Sequence, residues 1–113
     1  MTDAPIDMTV YGDLKDATGA EFAAELVDTF LEDAPAMIAE LHQALANGDA
    51  DRFRRAAHSI KSNANVFGAH ALAEPARQLE LGTFDKVPVQ DILDRLDAEY
   101  TRAATALRGL QND

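Results

Sequence analysis

Apolar side chains recur at helical spacing along most of this chain, and period-two alternation is nowhere sustained. Residues 1–18 are the exception. Ile6, Met8, Val10, Tyr11 and Leu14 are scattered there, which predicts an irregular arm with a helical turn near Tyr11–Ala17. From about Gly19 to Leu31, Phe22, Leu26 and Phe30 fall at i, i+4 and i+8, with Ala23, Val27 and Leu31 beside them, the pattern of an amphipathic helix. Pro35 disfavours helix in the residue before it, so the chain is expected to break or kink there. A second helix then starts with Pro35 in its first turn and Asp33 as its cap. It carries Ile38, Leu41 and Leu45 inward and stops at Asn47-Gly48. Asp49 is placed to cap a third helix, from about Ala50 to Val66 or Phe67, with Phe53, Ala56, Ala57, Ile60, Ala64 and Phe67 on one face and Gly68 as its stop. A fourth runs from about His70 to Leu81, burying Leu72, Ala76 and Leu79, and ends at Gly82. Pro75 removes a backbone donor inside it, which predicts a late start or a kink. A fifth begins near Pro88 and carries a stripe of Val89, Ile92, Leu93, Leu96, Tyr100, Ala103, Leu107 and Leu110.

Helices of these lengths are not stable alone, so the stripes must be buried together. Short connections favour antiparallel neighbours. The expected fold is all-α: an antiparallel up-down four-helix bundle made of the elements after Pro35, with an additional N-terminal helix, the one before Pro35, packed across one end. Residues 1–18 form the arm and residues 19–113 the bundle domain.

The length, 113 residues, suits one domain. Without cysteine, disulfides and thiolate metal sites are excluded. No apolar run approaches the roughly 20 residues of a membrane span. The N-terminal residues lack the basic start and apolar stretch of a signal peptide, so a cytoplasmic location is expected. Net charge is −10, which disfavours nucleic acid and anionic membranes as partners. The charge is uneven. Residues 1–51 have twelve acids and a single base, Lys15, whereas residues 52–77 hold Arg52, Arg54, Arg55, Lys61 and Arg77 against Glu74 alone.

That basic island covers the third helix. With the centre of its apolar face at zero, helical geometry puts Lys61 at about 80°, Arg54 at about 100°, Asn65 at about 120°, His58 at about 140° and Ser62 near 180°. One histidine thus lies on the solvent side between two cations, with a small hydroxyl residue one turn on, and the angles place no acid on this face. A neutral imidazole is a nucleophile near neutral pH. Cations beside it would hold the ring neutral and stabilise a phosphoryl group carried on it. Small neighbours leave room for another protein to reach the ring.

The block from Ala57-His58-Ser59-Ile60-Lys61-Ser62 to Phe67-Gly68-Ala69 resembles the signature of histidine-containing phosphotransfer domains. That pattern is a histidine, an apolar residue at +2, Lys at +3, Gly or Ser at +4, and an apolar residue and Gly at +9 and +10. His58, Ile60, Lys61, Ser62, Phe67 and Gly68 match it. The resemblance extends to Phe30–Pro35, to the Gly48-Asp49 turn and to Arg77-Gln78-Leu79-Glu80, and covers about residues 10–110. It implies that His58 accepts a phosphoryl group through Nε2 from a receiver-domain aspartyl phosphate and gives it to another receiver. Lys61 stabilises the group, Ser62 keeps the approach open, and Gly68 lets the helix end. Arg54 and Asn65 are candidate docking and phosphate-side residues, although each also reads as an ordinary solvated position. Ser62 replaces the commoner glycine, and Pro75 is unusual in the fourth helix. The family needs no cofactor or metal of its own, because the receiver supplies the aspartate and Mg²⁺.

Other readings are weaker. His42 and His70 read as surface residues, and no zinc-binding spacing occurs. A sensor-kinase phosphoacceptor domain usually follows its histidine with Asp or Glu, where this chain has Ser59, and no Gly-rich nucleotide segment is present, so autokinase activity is not expected. A non-transferring, receiver-binding adaptor is the alternative, against which the retention of both His58 and Lys61 argues. A DNA-binding helical domain conflicts with the net charge. The expected partners are receiver domains of response regulators and hybrid histidine kinases, docking on the third helix and its neighbour, the second, of a monomer, with modest affinity because a carrier must release each partner.

Overall fold

The computed structural model describes residues 4–82 and 88–111. They form α1 (Met8–Thr18), α2 (Ala20–Asn47), α3 (Ala50–Val66), α4 (His70–Leu81) and α5 (Val89–Gln111). Helices α2 to α5 pack in a closed ring, each touching the next and α5 returning to α2, while α1 packs on α2 and α3. This is the expected all-α four-helix bundle with an added N-terminal helix, but two of its elements are drawn differently from the sequence reading.

The first correction concerns Pro35. No break occurs there. α2 runs 28 residues with Pro35 inside it, and at 1.5 Å per residue, about 42 Å, it accounts for the long dimension of the molecule, 43 Å. A proline costs one i→i−4 hydrogen bond, here the one to the Leu31 carbonyl. Pro35 lies on the exposed side of α2, where water can serve that carbonyl, while Ala34 beside it and Phe30 and Leu41 on the turns around it are buried. Burial of the continuous stripe outweighs the local preference to stop. The stripe is Ala23, Val27, Phe30, Ala34, Leu41 and Ala44. Phe22, expected inside, is 49% exposed in the first turn.

The second correction follows from the first. The additional helix is not the segment before Pro35 but α1, within the residues 1–18 read as an irregular arm; residues 1–3 lie outside the described set. Asp7 caps α1 by accepting from Thr9 N at 3.0 Å. Ile6 and Tyr11 are buried in the same core as the bundle. Tyr11 in the helix and Ile6 just before it, with Leu14 packed partly against the core, hold this helix rather than a full stripe, which is why its periodicity is weak in the sequence.

The site-bearing helix is as expected. Asp49 accepts from Arg52 N at 3.1 Å, after Gly48 has closed α2 in the left-handed conformation at φ 66°. Phe53, Ala56, Ala57, Ile60, Ala64 and Phe67 are all buried. At the far end Gly68 has φ 75°, and a Cβ there would stand 2.8 Å from the Asp7 carbonyl oxygen and 2.9 Å from Val10 Cβ. Asp7 N donates to the Gly68 carbonyl at 2.8 Å. Only glycine lets the N-terminal segment approach the α3–α4 corner this closely. Phe30 meets the Phe67 ring in a tilted contact at 5.3 Å and the Tyr100 ring edge-to-face at 6.1 Å, tying α2 to that corner and to α5.

α4 starts at His70, not late, and continues through Pro75, which is fully buried. Its cost is again one backbone bond, offset by packing between α3 and α5. α5 opens with Ile92 N donating to Pro88 O at 3.0 Å. No helix among the described residues is long and apolar enough to cross a membrane.

Candidate functional site

α3 lies between α2 and α4 and turns its polar face outward. His58 sits mid-helix on that face, its side chain 57% exposed. The ring is not free on all sides. Nδ1 is 2.7 Å from Oε2 of Glu80, which reaches across from the last turn of α4. The other oxygen of that carboxylate, Oε1, is 2.7 Å from Nζ of Lys61. Oε1 is shielded from water and accepts no hydrogen bond, so the ammonium is its ionic partner. Glu80 is 17% exposed. The Lys61 ammonium against Oε1 chiefly holds its carboxyl below the ordinary carboxylate value; partial burial opposes this, and the hydrogen bond and charge of His58 add to it.

An ionised carboxylate only accepts hydrogen bonds. Nδ1 of His58 therefore carries the hydrogen, which in a neutral ring leaves the lone pair on Nε2. Nε2 makes no hydrogen bond among the described residues. The arrangement presents an exposed nucleophilic nitrogen whose opposite edge is held by a partly buried negative charge.

The site differs from the helical-wheel reading in its charges. That reading placed no acid on this face and let Arg54 and Lys61 act as free cations beside His58. Instead Lys61 is held by Glu80. Arg54 is 2.6 Å from Oδ1 of Asp51 and Arg55 is 3.1 Å from Oδ2, so one carboxylate forks to both guanidinium groups. A wheel describes one helix by itself; the missing acid arrives from α4, and long side chains on α3 turn along the helix to their own partner. Arg54 still lines the shallow cavity, about 350 Å³, that contains His58, Arg55, Ser59 and Glu80.

The remaining candidates divide. Ser62 is exposed, one turn from His58. Asn65 is exposed and lines a separate cavity with Lys61, His70 and Arg77. Gly68 is buried at the α3–α4 corner, ten residues and about 15 Å along the helix from His58, where it shapes the fold rather than the reacting surface. His42 and His70 are surface residues, 3.1 Å from Asp97 and 3.3 Å from Asp7. Among the described residues no group of three or more His, Asp or Glu could hold a metal ion. Glu80 is the site residue that sequence reasoning missed. It stood in the segment Arg77–Glu80 that carries part of the resemblance, but only the packing of α4 on α3 shows which residue it meets.

Comparison with known proteins supplies the family. The family model of the Hpt domain matches residues 25–106. The chain belongs to the Hpt domain family. The match spans α3 and α4 whole, and so includes His58, Lys61 and Glu80. This Hpt domain is also similar in fold to the crystal structure of histidine-containing phosphotransfer protein B (HptB) from Pseudomonas aeruginosa PAO1, with a TM-score of 0.88, 24% identity, and coverage of 98% of this chain and 97% of that one. No curated protein matches it in sequence. The chain is a histidine phosphotransfer protein of phosphorelays.

Proposed function

We propose that His58 is the phosphoryl acceptor of this Hpt domain, attacking through Nε2. The observation that carries this reading is the 2.7 Å hydrogen bond between Nδ1 and Glu80 on a half-exposed ring. The phosphoryl group arrives from the aspartyl phosphate of a receiver domain. The Nε2 lone pair forms the N–P bond as the P–O bond to the receiver breaks, and the receiver keeps its carboxylate. Transfer to a second receiver runs the same step in reverse.

The domain then acts as a carrier, without autokinase activity and without a cofactor of its own; Mg²⁺ belongs to the receiver. Receiver domains of response regulators and hybrid histidine kinases dock over the exposed face of α3 and the α2–α3 groove lined by Ala36, Met37, Arg55 and Ala56. A cytoplasmic monomer suits such an open docking face.

Mixing the purified protein with a phosphorylated receiver should give acid-labile, alkali-stable label. His58→Gln should abolish it, and equal labelling of that variant would refute the reading. Unlabelled wild-type protein that still binds the receiver would favour an adaptor instead.

A further inference from the structure

We propose that Arg54 and Arg55 are a clamp for the phosphoryl group on His58, and that Asp51 holds both arginines until that group arrives. This rests on His58 being the acceptor.

Spacing on α3 sets the two partners symmetrically about the arginines. Arg54 lies three residues after Asp51 and four before His58; Arg55 lies four after Asp51 and three before His58. Residues three and four apart are neighbours on a helix surface, so each guanidinium has Asp51 one turn to one side and His58 one turn to the other. At 100° per residue, Arg54 and Arg55 stand about 40° and about 60° to either side of the His58 direction. Helical side chains lean toward the N-terminus, which carries the histidine ring back over the turn that bears the two arginines. All three side chains line one shallow cavity of about 350 Å³, with Ser59 and Glu80.

In the structure both arginines are on Asp51, each taking a different oxygen, at 2.6 Å for Arg54 and 3.1 Å for Arg55. The carboxylate is 61% exposed and the guanidinium side chains are as open. Ion pairs so accessible to water are held weakly. A phosphoryl group on Nε2 is the stronger partner. It brings a charge near −2 and three acceptor oxygens, against a single negative charge on Asp51. Guanidinium groups meet such oxygens in bidentate pairs. Asp51 loses little on release, because it stands in the first turn of α3, where the helix dipole favours a negative charge.

The neighbouring cations are engaged elsewhere. Lys61 is held by Glu80 on α4, Arg52 by Glu40 on α2, and Arg77 by Glu74 within α4. Arg54 and Arg55 differ in sharing one exposed carboxylate. The exchange of partners moves no proton. As the N–P bond forms and the P–O bond to the receiver breaks, the arginines turn to the phosphoryl oxygens and Asp51 keeps its charge in water. When the phosphoryl group leaves for a second receiver, they return to Asp51.

The test is an equilibrium, because docking changes how fast phosphate passes between a receiver and this domain but not how it divides between the two free proteins. A receiver domain is phosphorylated with acetyl phosphate and Mg²⁺, freed of that donor and mixed with the full chain, and the phosphate on each protein is measured once the ratio is constant. Arg54→Ala/Arg55→Ala should move the ratio toward the receiver about 10-fold, the scale of one lost hydrogen bond to a charged group. Asp51→Asn, which removes the competing charge, should move it the other way by about 2- to 5-fold, the scale of an exposed ion pair. That gain should vanish in the Asp51→Asn/Arg54→Ala/Arg55→Ala variant. Circular dichroism confirms that each variant is folded. A wild-type ratio in the double arginine variant, reached more slowly, overturns the proposal and leaves the arginines as docking residues. An Asp51→Asn ratio unchanged or shifted toward the receiver overturns the holding role of Asp51. Wild-type protein phosphorylated at a residue other than His58 would instead refute the acceptor reading itself.

Discussion

At Glu80 two demands meet. A carboxylate that is 17% exposed needs positive partners, and a nucleophilic histidine needs one nitrogen occupied and the other open. One side chain answers both because Lys61 and His58 lie one turn apart on α3 and face the same point on α4. The energetic consequence has a definite sign. The folded-state carboxyl is held below its ordinary value, so the stability it contributes is present above that value and is lost as pH falls through the lower, folded one. Glu80→Gln should therefore melt below wild type at pH 7, with the gap closing as the solution is acidified past the ordinary carboxylate range. Thermal melts across pH check this, and a gap that persists into strong acid would contradict it. Gly68 is a second residue whose role becomes clear only in three dimensions. The sequence places it correctly as the stop of α3, but the approach of Asp7 and Val10 that forbids a side chain there comes from a segment sixty residues away.

Among the elements, α3 was the most legible. An Asp cap, a run of apolar residues on one face and a Gly stop are all local signals, and each operates as local physics requires. α2 was misread for the complementary reason. The rule against proline in a helix is local, whereas the burial of Phe30, Ala34 and Leu41 along one continuous stripe is not. If Pro35 is tolerated only because packing carries the helix across it, Pro35→Ala should stabilise the protein by about 1–3 kcal/mol, up to the intrinsic cost of proline within a helix. A urea titration would show a higher midpoint with an unchanged slope. A lower midpoint would mean that the ring holds a bend on which the fold depends. α1 was missed because Ile6 and Tyr11 are too few to give a period, though they suffice as anchors once a core exists to receive them.

For the molecule as a whole, the basic island in an acidic chain is what first marked α3, and packing changes its meaning. Its charges are mostly matched one to one. Arg52 engages Glu40 of α2, Arg54 and Arg55 share Asp51, Arg77 forks onto Glu74, and Lys61 takes Glu80. Several of these acids stand elsewhere in the sequence, so residue counting found an island of charge where the surface has a set of pairs. Such a face offers a docking receiver little open positive potential. What it offers is a held imidazole in the wall of one shallow cavity, next to the α2–α3 groove. The histidine itself was legible because the phosphotransfer motif is local to α3; the carboxylate behind it was not, because helix register is set by packing. The chemistry turns on the identity of one nitrogen. Phosphorylating the ¹⁵N-labelled protein with a phosphorylated receiver and recording ³¹P and ¹⁵N spectra tests it directly. A single phosphoryl group bonded to Nε2 of His58, with Nδ1 still protonated, is the predicted result; phosphate on Nδ1 or on any other residue would contradict it.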